Sequence, residues 1–456
     1  MKVILLSGGS GKRLWPLSNS ARSKQFLKLL KSDLGYESMF QRIWRMMEHC
    51  KLNHHTYVST GKAHAEIMKK QLQERAPIII EPDVRDTFPA ICLASTYLKS
   101  LEGTDLNELI CVLPVDAYAD EPFYHVISCL EETLTDIQFD IALIGVKPTF
   151  PSERYGYIIP NKINSLNSPL SKIKYFIEKP SKDEAKKLIE KNALWNCGVF
   201  VFKLGYIISL LDEMKIPTEY EELYKIYHTL PKKSFDYQIV ERCKHSVVLR
   251  FDGLWKDIGT WDAFSETLGN SLFGEGLISD DSQNSHIINE LNIPIVVSGL
   301  SNVVIAASPD GILVTEKRTS NEVKELVEGL NFRPMYEERR WGTYSVLDFQ
   351  QYNNGSCILT KKIVLNEGAN ISYQYHLKRS EYWIITAGEG IFVLEGKIRK
   401  VIPGDYLQIP EKAKHAIKGI TSLEFIEVQR GTDLSEDDIV RIETCWEKTM
   451  KLCQDE

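Results

Sequence analysis

The stretch Ser7-Gly8-Gly9-Ser10-Gly11-Lys12-Arg13-Leu14-Trp15-Pro16-Leu17 follows directly on the apolar run Val3-Ile4-Leu5-Leu6. The run reads as a short buried strand. A glycine-rich turn after such a strand lets backbone come close to a ligand, and its N–H groups can cradle phosphate. Lys12 and Arg13 add the charge that phosphate attracts. Two familiar phosphate motifs do not fit. Lys12 is followed by Arg13, where the Gly-Lys-Ser/Thr loop needs a hydroxyl. Leu14 stands where the dinucleotide fingerprint needs its third glycine. The stretch is therefore a third kind of phosphate loop or a plain turn.

Outward from this turn, strand-like and helical stretches alternate to about residue 270. Candidate strands are Val3–Leu6, Ile78–Ile80, Leu109–Leu113, Ile141–Gly145 and Val199–Phe202, with amphipathic segments such as His64–Glu74 between them. Such alternation predicts an α/β domain with a mostly parallel sheet, its ligand at the carboxyl ends of the strands. Short β runs punctuated by Asn, Gly and Pro then fill Ser279–Val314, with a helix expected around Ser320–Glu328 and a linker at Asn331–Pro334. Beyond it, Cys357–Val364, Tyr382–Thr386, Ile391–Leu394 and Phe425–Gln429 predict a compact β-barrel. The expected domains are 1–270, 271–330 and 331–456.

Bulk properties narrow the function. The 456 residues are 43% hydrophobic, enough for two or three cores, and carry a net charge of −7. That charge gives no general basic field for nucleic acid. The apolar run before Ser7 is too short for a signal peptide or a membrane span. Nine scattered cysteines with no Cys-x-x-Cys pair read as reduced thiols. A cytoplasmic protein that binds neither nucleic acid nor membrane is expected.

Two aspartates stand where a cation is wanted. Asp116 ends Leu113-Pro114-Val115-Asp116, and Asp257 lies in Trp255-Lys256-Asp257-Ile258-Gly259-Thr260-Trp261. Mg²⁺ takes one or two carboxylates together with substrate phosphates. As an alternative, Asp116 is a common turn or cap aspartate. Gly156 between Tyr155 and Tyr157, Glu178-Lys179-Pro180, and Trp195-Asn196-Cys197-Gly198 suit a polar ligand such as a sugar, or else core and solvated surface. Towards the C-terminus, His376 and Glu381 in one β motif and His415 in another could share one divalent metal, with Zn²⁺, Mn²⁺ or Fe²⁺ suited to imidazole and carboxylate. Unrelated histidines on β-turns are the alternative.

The motifs in order are Gly-Gly-Ser-Gly-x-Arg-Leu-Trp-Pro-Leu, Lys24-Gln-Phe-Leu, Glu-Pro…Arg85-x-Thr-x-Pro-Ala, Leu-Pro-x-Asp, Tyr-Gly-Tyr-Ile, Glu-Lys-Pro, Trp-Asn-x-Gly and Trp-x-Asp-x-Gly. Together they resemble the sugar-1-phosphate nucleotidyltransferases, most of all the mannose-1-phosphate guanylyltransferase branch. The resemblance implies a Rossmann-like transferase domain with a mixed, mostly parallel sheet. It implies nucleotide contacts from Gly8, Gly9, Gly11, Arg13, Arg85 and Asp116, and Lys24 near the transferring phosphate. Asp116 and Asp257 would hold Mg²⁺; Gly156, Glu178, Asn196 and Asp257 would meet the sugar, and Lys179 its phosphate. The substrates implied are an NTP, GTP by resemblance, and a sugar 1-phosphate. The branch's usual pattern differs at Ser23, where it has Pro, and at Asp86, Phe88 and Ala117.

Ser372-Tyr-Gln374-Tyr-His376-Leu-Lys-Arg379-Ser-Glu381-Tyr-Trp383 resembles the cupin-type phosphomannose isomerases, and Arg340-Trp341-Gly342-x-Tyr344 matches that domain's opening. This implies a small β-helix-like connector before a C-terminal cupin. Its metal ligands would be Gln374, His376, Glu381 and His415, with Arg379 serving substrate phosphate or proton transfer. Bifunctional relatives and a homodimer are implied. Leu377 and Lys378 replace the family's frequent histidines, so a cupin kept as a structural or regulatory module is a competing expectation. Isomerisation as the main activity is another.

Overall fold

The computed structural model describes residues 1–9, 12–19, 21–33, 35–72, 75–161, 170–330, 333–435 and 438–454. Gly11 of the glycine turn, Glu74 of the expected helix and Asn331 of the expected linker lie outside the described residues. The chain divides into two compact units. The first holds Met1–Leu14, Ser23–Ser271 and Lys317–Asn321; the second holds Trp15–Arg22, Leu272–Glu316 and Glu322–Glu456.

Among the described residues, the first unit is built on a nine-stranded sheet. Its strands are β1 (Lys2–Ser7), β2 (Thr56–Gly61), β3 (Ile78–Glu81), β4 (Leu109–Pro114), β5 (Ile141–Val146), β6 (Gly156–Pro160), β7 (Leu170–Glu178), β8 (Leu194–Lys203) and β9 (Ser246–Phe251). They lie in the order β3-β2-β1-β4-β8-β5-β9-β7-β6. The runs Val3–Leu5 and Ile110–Val112 are wholly buried, as strands covered on both faces require. Pairing is parallel from β3 through β4 and between β5 and β9. Two strands run against this direction. Strand β8 runs antiparallel to β4 and β5, and β7 runs antiparallel to β9 and β6. The sheet is mixed and mostly parallel, as expected: among the described residues β1 to β6 and β9 run one way and β7 and β8 the other. Alternation of strand and helix does not encode which strands re-enter reversed.

Strand β8 is also longer than the run Val199–Phe202 foretells. It takes in Trp195 and Asn196, with a register break between Asn196 and Phe200 and Gly198 at φ 71°. Such a bulge bends the strand and re-aims a side chain. A two-stranded ribbon pairs Ala117–Ala119 with Trp255–Asp257 and sets Asp257 opposite Ala117, next to Asp116. Helices Met39–His49 and Lys62–Leu72 contribute Phe40, Trp44, Ile67 and Met68 to the core shared with Val3 and Val58.

In the second unit, short rungs stack in parallel: Leu272 pairs with Ile287, and Ile287 with Ile305. Ile287, Val297 and Ile305 form the small core of this coil. Parallel rungs with inward Ile and Val are β-helix-like. After them come two antiparallel sheets, of six and five strands, whose Trp383, Phe392, Ile417 and Phe425 share one core. The segment Trp15–Arg22 belongs to this unit. Arg22 makes paired hydrogen bonds to Glu290, at 2.8 and 2.9 Å, and its ring neighbour is Tyr336. Asn19 donates to Asp310 at 2.5 Å, and Ser308 donates to the Pro16 carbonyl at 2.8 Å. Among the described residues, no helix is long and apolar enough to cross a membrane.

Arg22 is buried, and Glu290 and Glu338 hold its pKa up against burial. Removing one partner of a buried ion pair leaves the other charge stranded. Arg22→Ala is expected to destabilise the second unit by about 3 kcal/mol. Hydrogen exchange should show lost amide protection in Val303–Ser308 and in Tyr336–Arg339; unchanged protection would contradict this.

Candidate functional site

The glycine turn leaves the end of β1 with open space around it. A Cβ added to Gly8 or Gly9 would meet nothing within 4 Å, and Gly9 has φ 113°, a conformation that favours glycine. Beside it stands Lys24, on the short turn Lys24–Phe26 whose Phe26 is fully buried. Lys24 Nζ lies 3.1 Å from Asp116 Oδ2 and 3.5 Å from Asp257 Oδ1. Burial alone would lower the lysine's pKa, but the two carboxylates outweigh it and hold the ammonium charged. The same ammonium holds the Asp116 carboxyl below its ordinary range.

Local sequence explains both aspartates. Asp116 follows β4 at its carboxyl end, with Leu113 and Val115 buried and the Asp116 side chain 44% exposed. Ile258 and Trp261 are fully buried on either side of Gly259, which anchors the loop and leaves Asp257 partly exposed. Gly259 has little room: its Cβ would come within 3.0 Å of Asp257 Oδ1 and 3.1 Å of Arg13 Nη1. The Arg13 guanidinium is thus beside Asp257. Two carboxylates and two cations meet at the mouth of the glycine turn, an arrangement suited to phosphate and a divalent ion.

A second polar group is built on β6, β7 and β8. Gly156 cannot be replaced without collision, because its Cβ would sit 2.5 Å from Glu178 Oε2 and 2.4 Å from the Phe176 ring. Glu178 Oε2 is buried without a partner, while its Oε1 accepts from Lys179 Nζ at 2.7 Å. Burial raises the Glu178 carboxyl, and Lys179 pulls it back only in part. Asn196 donates from Nδ2 to Asp236 Oδ1 at 2.7 Å and accepts from the Gly198 N–H at 3.0 Å. Its amide is therefore locked in one orientation. Tyr155 lies between the two groups, its ring 4.6 Å from Trp195 and 5.9 Å from Trp255.

Three residues singled out from the sequence sit apart from these contacts. Arg85 spends its guanidinium on Asp83 at 2.9 Å and on the Leu230 carbonyl at 2.7 Å. Phe88 is 2% exposed and belongs to the core. Asp86 caps helix Thr87–Ser100 by accepting from the Thr87 N–H, with φ at 71°. Asp236 was missed by sequence reasoning. Its signal is Ser234, whose hydroxyl caps the turn Phe235–Gln238 by accepting from the Tyr237 N–H. Burial, with Glu178 nearby, pushes Asp236 up to about 7.

The second unit gathers His376, Glu381 and His415, whose ligand atoms all lie within 4.8 Å of one another. They are 2%, 1% and 0% exposed. His376 Nδ1 faces the Asp438 carbonyl at 2.8 Å, and His415 Nδ1 faces the Ala413 carbonyl at 3.0 Å. A carbonyl only accepts, so each Nδ1 carries the proton and each Nε2 a lone pair. Burial keeps both imidazoles neutral, His415 down to about 4. Those two Nε2 atoms are buried without hydrogen-bond partners, 3.1 and 3.7 Å from the Glu381 oxygens. Burial works to raise Glu381, but the charge of Arg379, which donates to it at 3.0 Å, helps keep the carboxyl ionised. Lone pairs meeting a carboxylate with no proton between them fit a divalent cation.

Gln374 pairs in register with His415, and its Oε1 accepts from Ser372 at 2.7 Å. Arg379 is buried, donating to Glu381 at 3.0 Å and to the Ser435 carbonyl at 2.8 Å, so it steadies the carboxylate. Glu427 and Gln429 extend this polar interior. Gln429 donates to Glu381 and Glu427, and the Trp383 indole donates to Glu427. Their signal was the alternation Phe425-x-Glu427-x-Gln429, which puts two polar residues on the inward face of a strand.

The family model "Nucleotidyl transferase" matches residues 2–271, and "Mannose-6-phosphate isomerase C-terminal" matches residues 331–444. The xanthan biosynthesis protein XanB of Xanthomonas campestris is 30% identical, covering 98% of this chain and 99% of its own. A mannose-1-phosphate guanylyltransferase of Sinorhizobium fredii is 28% identical over 97% of this chain and 91% of its own. The mannose-1-phosphate guanylyltransferase ManC of Salmonella typhimurium is 29% identical over 96% and 97%. Among solved structures, one described as "mannose-1-phosphate geranyltransferase" from Thermus thermophilus matches with TM-score 0.60 and 26% identity, over 72% of this chain and 98% of that one.

Asp236 yields a test with a defined sign. The fold favours its protonated form, so its contribution to stability falls as pH rises from the ordinary Asp range, about 4, through about 7. Asp236→Asn cannot ionise. Its urea midpoint should gain on the wild type across that window; a difference independent of pH would contradict the assignment.

Proposed function

Because the chain belongs to the nucleotidyl transferase family, we propose that it transfers a guanylyl group from GTP to α-D-mannose 1-phosphate, giving GDP-mannose and pyrophosphate. The observation that carries this reading is Lys24 between Asp116 and Asp257 at the mouth of the glycine turn. A phosphate oxygen of the sugar phosphate attacks the α-phosphorus. The bond to the bridging oxygen breaks, and its electron pair leaves with pyrophosphate. No protein nucleophile is required, so positioning and charge neutralisation carry the rate.

In this reading Gly8 and Gly9 cradle the triphosphate and Arg13 neutralises it. Lys24 faces the transferring phosphate. Gly156, Glu178 and Asn196 take the sugar hydroxyls, with Asp236 fixing the Asn196 amide, and Lys179 meets the sugar's phosphate. Asp116 and Asp257 would hold Mg²⁺, which screens charge on the phosphates when bound. Arg85 acts on the nucleotide through the Asp83 loop it braces. Asp86 and Ala117 are the departures left to tune base and sugar choice. The names of the relatives, in alginate and xanthan synthesis and as guanylyltransferases, support GTP, mannose and a role in polysaccharide precursors. A homodimer in the cytoplasm is the proposed form, and nine free cysteines suit a reducing compartment.

A second reading rests on its own observation, the orphaned lone pairs of His376 and His415 facing Glu381. We propose that the cupin binds one divalent metal, Zn²⁺, Mn²⁺ or Fe²⁺, through His376, Glu381, His415 and Gln374. It would interconvert mannose 6-phosphate and fructose 6-phosphate. The metal would polarise the sugar's carbonyl, while Arg379 keeps Glu381 ionised and in place.

With Mg²⁺, GTP and mannose 1-phosphate should release pyrophosphate at least about tenfold faster than any other nucleotide or glucose 1-phosphate. Asp257→Asn should lower kcat about a hundredfold or more. Equal rates for all pairs would refute the substrate choice, and an active Asp257→Asn would refute the site. Separately, Glu381→Ala should abolish isomerisation and leave pyrophosphate release intact. Isomerisation that survives this change and chelation would refute the second reading.

A further inference from the structure

Ser23 and His64 form a buried pair on the glycine turn that the transfer chemistry above does not use. His64 Nε2 lies 2.8 Å from Ser23 Oγ, and Ser23 Oγ lies 3.2 Å from the Gly9 carbonyl. One arrangement satisfies both contacts. The imidazole Nε2–H donates to the hydroxyl oxygen, and the hydroxyl donates to the carbonyl, which can only accept. His64 is carried by helix Lys62–Leu72 and packs on Phe26, ring centres 5.4 Å apart. Two residues further on, Gln25 Nε2 donates to Ser7 Oγ at 3.2 Å and to the Gly8 carbonyl at 3.4 Å.

The side chains on either side of Lys24 therefore grip the two glycine carbonyls. In a trans peptide the C=O and the following N–H point in opposite directions. Drawing the Gly8 carbonyl towards Gln25 turns the Gly9 N–H the other way. Around both glycines a side chain would find open space. Donors held outward in this way suit a triphosphate.

We infer that Ser23 and His64 are positioning residues that hold the glycine turn in its nucleotide-binding shape, with His64 acting through Ser23. The inference rests on the transferase reading. Ser23 sits at φ −71° and ψ 160°, an unstrained extended conformation, so its replacement need not disturb the backbone.

The test is steady-state kinetics of pyrophosphate release, with titration of Mg²⁺–GTP binding and thermal midpoints for each variant. Ser23→Ala and His64→Ala should each raise the KM and Kd for GTP about tenfold. The KM for mannose 1-phosphate should stay within about twofold. The double variant should lose no more than either single one, because both break the same chain of bonds. Ser23→Thr, which keeps the hydroxyl, should recover most of the loss. Equal rises in both KM values, additive losses, no recovery by Thr, or no change would overturn the clamp. If the wild type neither binds GTP nor releases pyrophosphate, the transferase reading falls and the clamp with it. If the wild type turns over and the variants match it, the clamp alone falls.

Discussion

The ammonium of Lys24, lodged between Asp116 and Asp257, is the constraint on which the first unit is arranged. A buried lysine is costly unless it is paired, and two carboxylates this close repel unless a cation stands between them. Each side of the arrangement stabilises the other. The fold supplies the pieces from separate parts of the chain. Asp116 comes off the end of a central strand, and Asp257 comes from a ribbon locked by Ile258 and Trp261. Lys24 comes from a turn anchored by Phe26. Charge balance without a fixed proton is what a site for phosphates and a divalent ion needs.

The second unit repeats the logic with the opposite sign. There the buried carboxylate of Glu381 meets two neutral imidazoles whose protons are already committed to backbone carbonyls. Arg379 and Gln429 take part of its charge, yet two nitrogen lone pairs remain aimed inward. Both centres are polar groups that the core would otherwise exclude; the first is completed by the Lys24 ammonium, and the second gathers the donors that suit a divalent cation.

Much of this was legible in residue order. The apolar run before Gly8 announces the first strand, and Leu113-Pro114 before Asp116 announces the strand end. Gly156 between two tyrosines foretells close backbone approach, and the structure gives the reason in the Glu178 carboxylate that fills its Cβ position. The His376–Glu381 spacing, across the turn that joins Asn370–Tyr375 to Arg379–Ala387, is readable in the same way. What was not legible depends on long-range packing. Strand β8 inserts antiparallel between β4 and β5, and no local pattern encodes that. Asp236 gains its meaning only when Asn196 is brought against it across 40 residues of chain. Phe88 is one of the departures from the branch's pattern, and only the packing shows that helix Thr87–Ser100 turns it into the core. The segment Trp15–Arg22, written into the glycine motif, folds with the second unit because Glu290 and Asp310 claim it.

A crystal structure of the full chain with GDP-mannose and Mg²⁺ tests the central claim most directly. The account predicts the α-phosphate against Lys24 with the metal on Asp116 and Asp257, and the mannose among Gly156, Glu178 and Asn196. A nucleotide sugar bound elsewhere, or one whose phosphates leave Lys24 and both aspartates untouched, would contradict it.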